Sequence, residues 1–374
     1  MIKKICYVDE DGRFGGPQQR MLIIASELKK KDIDVEVIIP KDETEIFKKK
    51  LLENKIKFHE LTITRLSLKI NFLFKYIFLF FYEIFILIKF FKHNKYDLIQ
   101  ANSTSQFKAV IAAFLLKLKI VWVIEDSYFP FIIVFIFKQL AKISNCKIIY
   151  TSERVYDFYF KNEKKINNSI KEIFAPVDYF KFNINQSFAV PDYINKKNYI
   201  ITTVAAMVPV KGLEYFIESA EIVRKNNSNV SFIIAGAEIS SQKKYSKKIK
   251  SMLINKDYIK YIGMCNNIPK LLANSDIFVC SSLSEAGPIT VYEAMFMKLP
   301  IITTDVGACN QIITNYENGI IVPIKDSNKI SQAVIKVLND THLRNKIGLN
   351  AHKFALEFFS LDKIVKQYIE FYNK

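Results

Sequence analysis

The chain has 374 residues and a formal net charge of +17, half of its residues are apolar, and glycine and proline are modest. This composition excludes a disordered or fibrous chain, and the length suits two domains with a core each. Five scattered cysteines without C-x-x-C spacing and four isolated histidines speak against a disulfide framework and against a dedicated zinc site.

The basic excess admits two kinds of partner, nucleic acid or an anionic membrane surface. No helix-turn-helix, zinc-finger or aromatic RNA-binding pattern accompanies the lysines, so nucleic acid is set aside and a membrane surface is favoured. Part of the excess is compositional, in line with heavy Lys, Ile, Asn and Phe usage. The opening Met1-Ile2-Lys3-Lys4-Ile5-Cys6-Tyr7-Val8 is too short an apolar run for a signal peptide and reads as a strand, so a cytoplasmic protein is expected.

In chain order, the first strand (5–8) leads to Gly15-Gly16-Pro17-Gln18-Gln19-Arg20, which opens a helix with Met21, Leu22, Ile24, Ala25 and Leu28 on its apolar face. Pro17 suits a first helical turn, and paired glycines let the backbone approach a ligand closely. The loop is a phosphate-side or acceptor-side element, or a plain tight turn. Asp9 and Asp11 stand before it and are not expected to hold a metal. Strand-like runs at 35–39, 98–101, 120–124 and 147–151 follow, with helical patterns between them.

Residues 66–91 are very apolar, broken by Lys75, Glu83 and Lys89. Spanning a membrane takes about 20 apolar residues with few charges. Asn71, Lys75, Tyr82 and Lys89 share one helical face, a narrow polar stripe on a greasy helix. Such a helix lies in a membrane interface or is buried by a sheet, and peripheral attachment is expected rather than a span. A second apolar patch covers 129–137.

From about 162 to 197 the pattern loosens, with Pro176, Pro191 and several Asn and Lys, as a linker does. A second strand series then runs through 200–205, 231–235, 259–262, 277–280 and 300–304. Two strand-helix series of similar length predict an α/β fold of two doubly wound, Rossmann-like domains facing a central cleft. The expected division is 1–180, a linker at 181–198, a second domain at 199–355 and a closing segment at 356–374.

The strongest chemical signal is Ser284-Glu285-Ala286-Gly287-Pro288-Ile289-Thr290-Val291-Tyr292-Glu293-Ala294-Met295. An apolar strand feeds a small-residue loop, which opens a helix carrying Glu293 in an early turn. Two carboxylates eight residues apart flank backbone N–H groups at a helix N-terminus, a natural anion site. Carboxylates beside an anion site fit a ligand with phosphates at one end and hydroxyls at the other, which describes a nucleotide-sugar. Lys211-Gly212 falls at the matching end of the strand 200–205, where a lysine can neutralise a diphosphate.

These residues resemble a retaining glycosyltransferase of family 4, the "group 1" type with a GT-B fold. Residues 284–295 resemble the family's E-x7-E donor loop, Lys211-Gly212 its phosphate-binding turn, and Gly15-Gly16 the glycine pair of its first loop. Ala175-Pro176-Val177-Asp178 resembles the strand ending in Gly-Val-Asp before the linker. Asn318-Gly319-Ile320-Ile321-Val322-Pro323 matches a late Gly-Leu-Leu-Val-Pro segment. Five matches in the right order cover nearly the whole chain.

The resemblance implies roles. Glu293 would bind the donor's ribose hydroxyls and Glu285 the hydroxyls of the transferred sugar. The backbone of Ala286, Gly287, Pro288, Ile289 and Thr290 would hold sugar and diphosphate, with Gly15 and Gly16 also on the donor side. Lys211 would stabilise the leaving diphosphate, which makes Lys211 and Glu285 the candidate catalytic residues. No metal or other cofactor is expected, and the last helix, about 361–372, would cross back to the first domain. The implied reaction moves a sugar from a nucleoside diphosphate to a hydroxyl of a glycan or lipid-linked glycan acceptor. Its expected setting is bacterial surface-polysaccharide or lipopolysaccharide synthesis at the inner face of the cytoplasmic membrane.

Three departures from the pattern stand out. Ala206 occupies the place of an Arg five residues before the lysine, so a cation is missing or comes from Arg13 or Arg20. Asn102 and the stretch Trp122-Val123-Ile124-Glu125-Asp126 replace histidine-bearing positions of the first domain, and Gln311 replaces a later Glu. Ala206 and Glu125 keep a non-catalytic binding or scaffold protein as the alternative reading. Another GT-B enzyme, such as a nucleotide-sugar epimerase, is a third.

Overall fold

A computed structural model describes residues 2–67, 69–161 and 169–374. The chain divides into two compact units, Met1–Pro176 together with Asp362–Lys374, and Val177–Leu361.

The first unit is built on seven strands: β1 (Lys4–Val8), β2 (Asp34–Pro40), β3 (Lys57–Leu61), β4 (Leu98–Asn102), β5 (Lys119–Ile124), β6 (Lys147–Tyr150) and β7 (Ile170–Glu172). Their order is β3-β2-β1-β4-β5-β6-β7, and every pairing is parallel. The second unit holds β8 (Tyr199–Val204), β9 (Val230–Ala235), β10 (Ile259–Tyr261), β11 (Ile277–Cys280), β12 (Ile301–Thr304) and β13 (Ile320–Val322). Here the order is β10-β9-β8-β11-β12-β13, again all parallel. Inner strands such as β1, β5 and β11 are buried along their apolar runs, as strands covered on both faces require.

Both sheets are doubly wound, so the expected fold class holds. In each, strand order reverses beside the first strand of the series, between β1 and β4 and between β8 and β11. Chains leaving the carboxyl ends there diverge and open a crevice where ligands bind in such sheets.

The greasy segment forms one helix, Ile70–Asn94, long and apolar enough to cross a bilayer by length and composition, with a mean hydropathy of 1.8 over its most apolar 18 residues. Its polarity is inverted. Tyr76, Glu83, Ile84, Leu87 and Phe91 are buried, while Phe78 and Phe81 are 87% and 81% exposed. Glu83 Oε2 accepts from Lys108 Nζ at 2.5 Å and from the Thr64 amide at 3.0 Å, so the helix's acid faces inward. Asn71, Lys75, Tyr82 and Lys89 are exposed, as is the apolar surface around them. The helices Phe107–Leu115 and Phe131–Ser144 pack beside it in that order, and Phe131, Ile132 and Phe135 extend the exposed apolar surface.

Residues 162–168 of the expected linker lie outside the described residues. Within the 181–198 stretch, Phe182 and Ile194 are buried, and Ile194 packs with Ile200, Ile233 and Leu271 of the second unit. The Val177 amide donates to Phe359 O at 3.1 Å, which brings the two ends of the second unit side by side.

The closing helix, Leu361–Asn373, counts with the first unit from Asp362 onward. Tyr372 is the reason: its hydroxyl lies 2.8 Å from Tyr7 Oη of β1 and donates to Gln100 Oε1 of β4 at 2.5 Å. Removing a hydroxyl that serves two buried partners leaves them unpaired. Tyr372→Phe should therefore lower the unfolding free energy by about 1–3 kcal/mol, measured by urea denaturation, with no change in the denaturant slope.

Candidate functional site

The site begins where β8 and β11 end. After β8 the chain makes a single 3-10 turn, Pro209–Lys211, and Gly212 at φ +55° admits the helix Leu213–Asn226. Only glycine fits there. A Cβ on Gly212 would lie 2.4 Å from Ser281 O, at the end of β11. The two loops are also stitched together, since the Leu283 amide donates to Val210 O at 2.7 Å and Ser281 Oγ to Lys211 O at 3.2 Å.

This stitching brings together two of the residues expected from sequence. Lys211 Nζ lies 2.5 Å from Glu285 Oε1, and Ser282 Oγ donates to the same oxygen at 2.7 Å. Burial opposes the charge on Lys211, yet the attraction of Glu285 outweighs it and holds the ammonium above its ordinary range. Thr304 Oγ1 at the end of β12 donates to Ser282 O at 2.5 Å, and Gly307 at φ +53° leaves room for Ala286 O, 2.7 Å from where its Cβ would stand. Three strand ends thus clamp the Glu285 loop.

Among the described residues, the amide N–H groups of Ala286 and Gly287 donate to nothing. Beyond them, Pro288 caps the helix Ile289–Phe296, and Thr290 sits in its first turn. Glu293, one turn on, is buried, and no hydrogen bond among the described residues reaches its carboxyl. Burial pushes its pKa up to about 8, with Lys181 pulling the other way. The two glutamates are therefore unlike: one is an ion-paired carboxylate, the other a largely neutral acid waiting for hydrogen-bond partners.

In the first unit, Gly15 and Gly16 are exposed at the start of the helix Gly16–Lys29. The Gly15 amide donates to Gln18 Oε1 at 3.0 Å, and Gln18 Nε2 donates to Asp9 Oδ2 at 2.9 Å. Burial pushes Asp9 up to about 8 and Asp126 up to about 6. Asp11 is instead paired with Arg13, which holds it below its ordinary value despite burial. Among the described residues no three His, Cys, Asp or Glu side chains gather as metal ligands would.

Arg20 requires a correction. Offered with Arg13 as a source for the missing cation, it is 3% exposed, and its two terminal nitrogens are engaged inside the first unit. It donates to Glu125 Oε1 at 2.8 Å, Ile173 O at 2.9 Å and Tyr368 Oη at 2.6 Å. Glu125 thus serves as the counter-charge of a buried arginine. Asn102, another altered position, is packed against Val8 O and Met21 Sδ. Sequence reasoning also missed Ser282, Thr304 and Gly236. At Gly236 (φ +158°) a Cβ would fall 1.9 Å from Ala205 O, which fixes the backbone beside Ala206.

Residues 14–192 match the profile described as "Glycosyltransferase Family 4" and residues 187–354 that of "Glycosyl transferases group 1". The chain belongs to this glycosyltransferase family. The UDP-Gal:alpha-D-GlcNAc-diphosphoundecaprenol alpha-1,3-galactosyltransferase of Escherichia coli is 29% identical over 184 residues, 47% of each chain. The N,N'-diacetylbacillosaminyl-diphospho-undecaprenol alpha-1,3-N-acetylgalactosaminyltransferase of Campylobacter jejuni is 29% identical over 181 residues, 48% of this chain and 46% of that one. The match thus spans about half the length of these curated relatives. In fold, the glycosyltransferase-family chain is similar to Anabaena Alr3699/HepE, crystallised in complex with UDP, at a TM-score of 0.82 and 20% identity over 98% of both chains.

Glu293 gives a pH signature free of any ligand. Its folded pKa, about 8, stands above the ordinary 4.5, so the native state holds a proton that the unfolded chain releases. The benefit is complete below the ordinary value and is lost as pH rises toward 8. Relative to wild type, Glu293→Gln should gain stability progressively from pH 5 to 8, at about 1.4 kcal/mol per pH unit, then level off. A difference that is flat across this range would remove the buried-acid assignment.

Proposed function

We propose that this protein transfers a sugar from a nucleoside diphosphate, most simply UDP, to a hydroxyl of a lipid-linked glycan, with retention at the anomeric carbon. The observation that carries the reading is the Lys211–Glu285 pair at the carboxyl edge of a doubly wound sheet, beside the free amides of Ala286 and Gly287. An ammonium and free N–H groups suit a diphosphate, while a carboxylate and a protonated acid suit hydroxyls. The names of the E. coli and C. jejuni relatives, both acting on diphosphoundecaprenol-linked sugars, support the lipid-linked acceptor. UDP in the Anabaena structure supports uracil as the base.

In this mechanism Glu293 holds the ribose hydroxyls and Glu285 those of the sugar. The bond between the anomeric carbon and the β-phosphate oxygen breaks as the acceptor oxygen attacks from the same face. The acceptor proton passes to the departing phosphate oxygen, and Lys211 stabilises the charge that develops there. No protein nucleophile takes part. Gly15 and Gly16, in the first unit, are assigned to the donor side because their exposed backbone lets a ligand approach closely.

Membrane attachment follows from the outward apolar side chains of the helices Ile70–Asn94 and Phe131–Ser144 in a strongly basic chain. An apolar patch of this kind, rimmed by lysines, fits the surface of an anionic bilayer on which such an acceptor resides.

Four measurements test the reading. UDP-sugars should raise the melting temperature of wild type, Glu293→Ala should weaken donor affinity at least tenfold, and Lys211→Ala should lower kcat about a hundredfold. Unchanged donor affinity in Glu293→Ala would refute its role, and binding with neither transfer nor hydrolysis would favour the scaffold alternative. Separately, the double variant Phe78→Ser with Phe81→Ser should lose at least fivefold in sedimentation with phosphatidylglycerol vesicles while keeping its UDP-sugar-induced melting shift.

A further inference from the structure

A cavity of about 250 Å³ lies at the amino ends of β8, β9 and β10, within the second unit. Lys211 and Glu285 stand beyond the opposite, carboxyl ends of the same sheet. The six residues of β8 alone separate the two ends by roughly 17 Å, at about 3.3 Å per step. Nothing in the proposed transfer uses this far edge. The volume lies just under the roughly 300–1,000 Å³ of drug-sized pockets, so it suits a compact ligand.

The lining is mainly polar, and its two cations are unpaired. Arg224 enters from the last turn of the helix Leu213–Asn226, and Lys260 from β10. Among the described residues neither forms a salt bridge. Elsewhere in this unit Lys248, Lys250 and Lys256 each pair with a glutamate. Arg224 is nonetheless held in place: its Nη1 donates to Val230 O at 3.4 Å, and its guanidinium stands 5.5 Å from the centre of the Tyr258 ring. Its remaining N–H groups and the Lys260 ammonium are what an anion recruits.

Beside the cations stand groups that suit hydroxyls. The Asn198 amide donates to Ser231 Oγ at 2.8 Å, which leaves the serine's own proton and the Asn198 carbonyl oxygen without partners among the described residues. Asn195 Oδ1 accepts from the Lys197 amide at 3.1 Å and keeps its NH2 free. The Asp257 carboxylate has neither a hydrogen bond nor an ion pair among the described residues. The Tyr258 ring adds an apolar flank.

This mixture discriminates among small ligands. A simple anion satisfies the cations and leaves the amides, the serine and Asp257 to water. A neutral sugar meets those groups and neither cation. A zwitterion the size of an amino acid matches the charges, but it has too few donors and acceptors for the two amides and the serine.

We propose that this cavity binds a phosphorylated monosaccharide, its phosphate between Arg224 and Lys260 and its hydroxyls on Asp257, Asn195, Asn198 and Ser231. The occupant leaves the Lys211–Glu285 loop open, so the site is additional to the donor site and does not compete with it.

The test is calorimetric titration of the full chain with two probes, glucose 6-phosphate and ribose 5-phosphate. Glucose, inorganic phosphate and glutamate serve as comparators. At least one probe should bind fivefold or more tightly than every comparator. Its affinity should fall tenfold or more in Lys260→Glu and in Arg224→Gln, and stay within twofold of wild type in Lys211→Ala. Lys260 is exposed and unpaired, so its variant tests the site even where Arg224→Gln loosens the helix end. Absence of binding by both probes, a comparator that binds equally well, affinities within twofold of wild type in both site variants, or a tenfold loss in Lys211→Ala would overturn the proposal. No nucleotide enters the titration, so a failure of the transferase reading leaves this readout intact.

Discussion

The second unit depends on a backbone approach that only glycine permits. At Gly212 the chain passes so near Ser281 O that no side chain fits, and the Leu283 amide and Ser281 hydroxyl then lock the two loops together. Reversal of strand order between β8 and β11 brings those loops to the same crevice, and the lock sets their spacing. Lys211 and Glu285, 74 positions apart in sequence, meet as a consequence. A partly buried ion pair is a poor source of stability, because removing both charges from water offsets much of their attraction. Its value lies in placement, with an ammonium held charged and aimed before any anion arrives.

That placement also limits what each partner can do. With the Glu285 carboxylate and the Ser282 hydroxyl already at its side, Lys211 approaches an incoming diphosphate as part of a neutral pair. Full positive charge becomes available to the phosphate only when Glu285 turns to other donors, such as sugar hydroxyls. In the proposed reaction, sugar and diphosphate would therefore be gripped together, and a bare diphosphate would meet a weaker site.

Much of this was legible in the sequence, for identifiable reasons. Parallel strands buried on both faces leave continuous apolar runs, and the donor-loop motif is local in sequence, so the sheets and the Glu285 loop could be read directly. Contacts between distant segments left no such trace. The spacing of Asn71, Lys75, Tyr82 and Lys89 marked a polar stripe, but the inward face of that helix is set by Glu83, whose partner Lys108 sits on another helix. Arg20 looked like a free cation because Glu125 and Tyr368, which engage it, lie 105 and 348 residues away. Glu125 stood out only as a departure at a histidine-bearing strand end, and its role as the counter-ion of a buried arginine had no local signal.

The buried acids Glu10 and Glu293 share one physical situation on unrelated elements. Each is a carboxyl removed from water by its own unit and left short of hydrogen-bond donors, and burial raises Glu10 to about 7 and Glu293 to about 8. A fold selected for stability alone would replace such groups with apolar side chains of similar size. Hydroxyl-rich ligands change the balance, since each hydroxyl donates to the carboxylate and stabilises its ionised form. In the proposed reaction, binding of the ribose would then expel a proton from Glu293 near neutral pH, and the desolvation cost carried by the empty protein would be recovered only when a polyol fills that site. Discrimination follows from the same term: a ligand of equal size without hydroxyls leaves a buried acid unpaired, which hydrogen-bonding sites reject far more strongly than a misfit of shape.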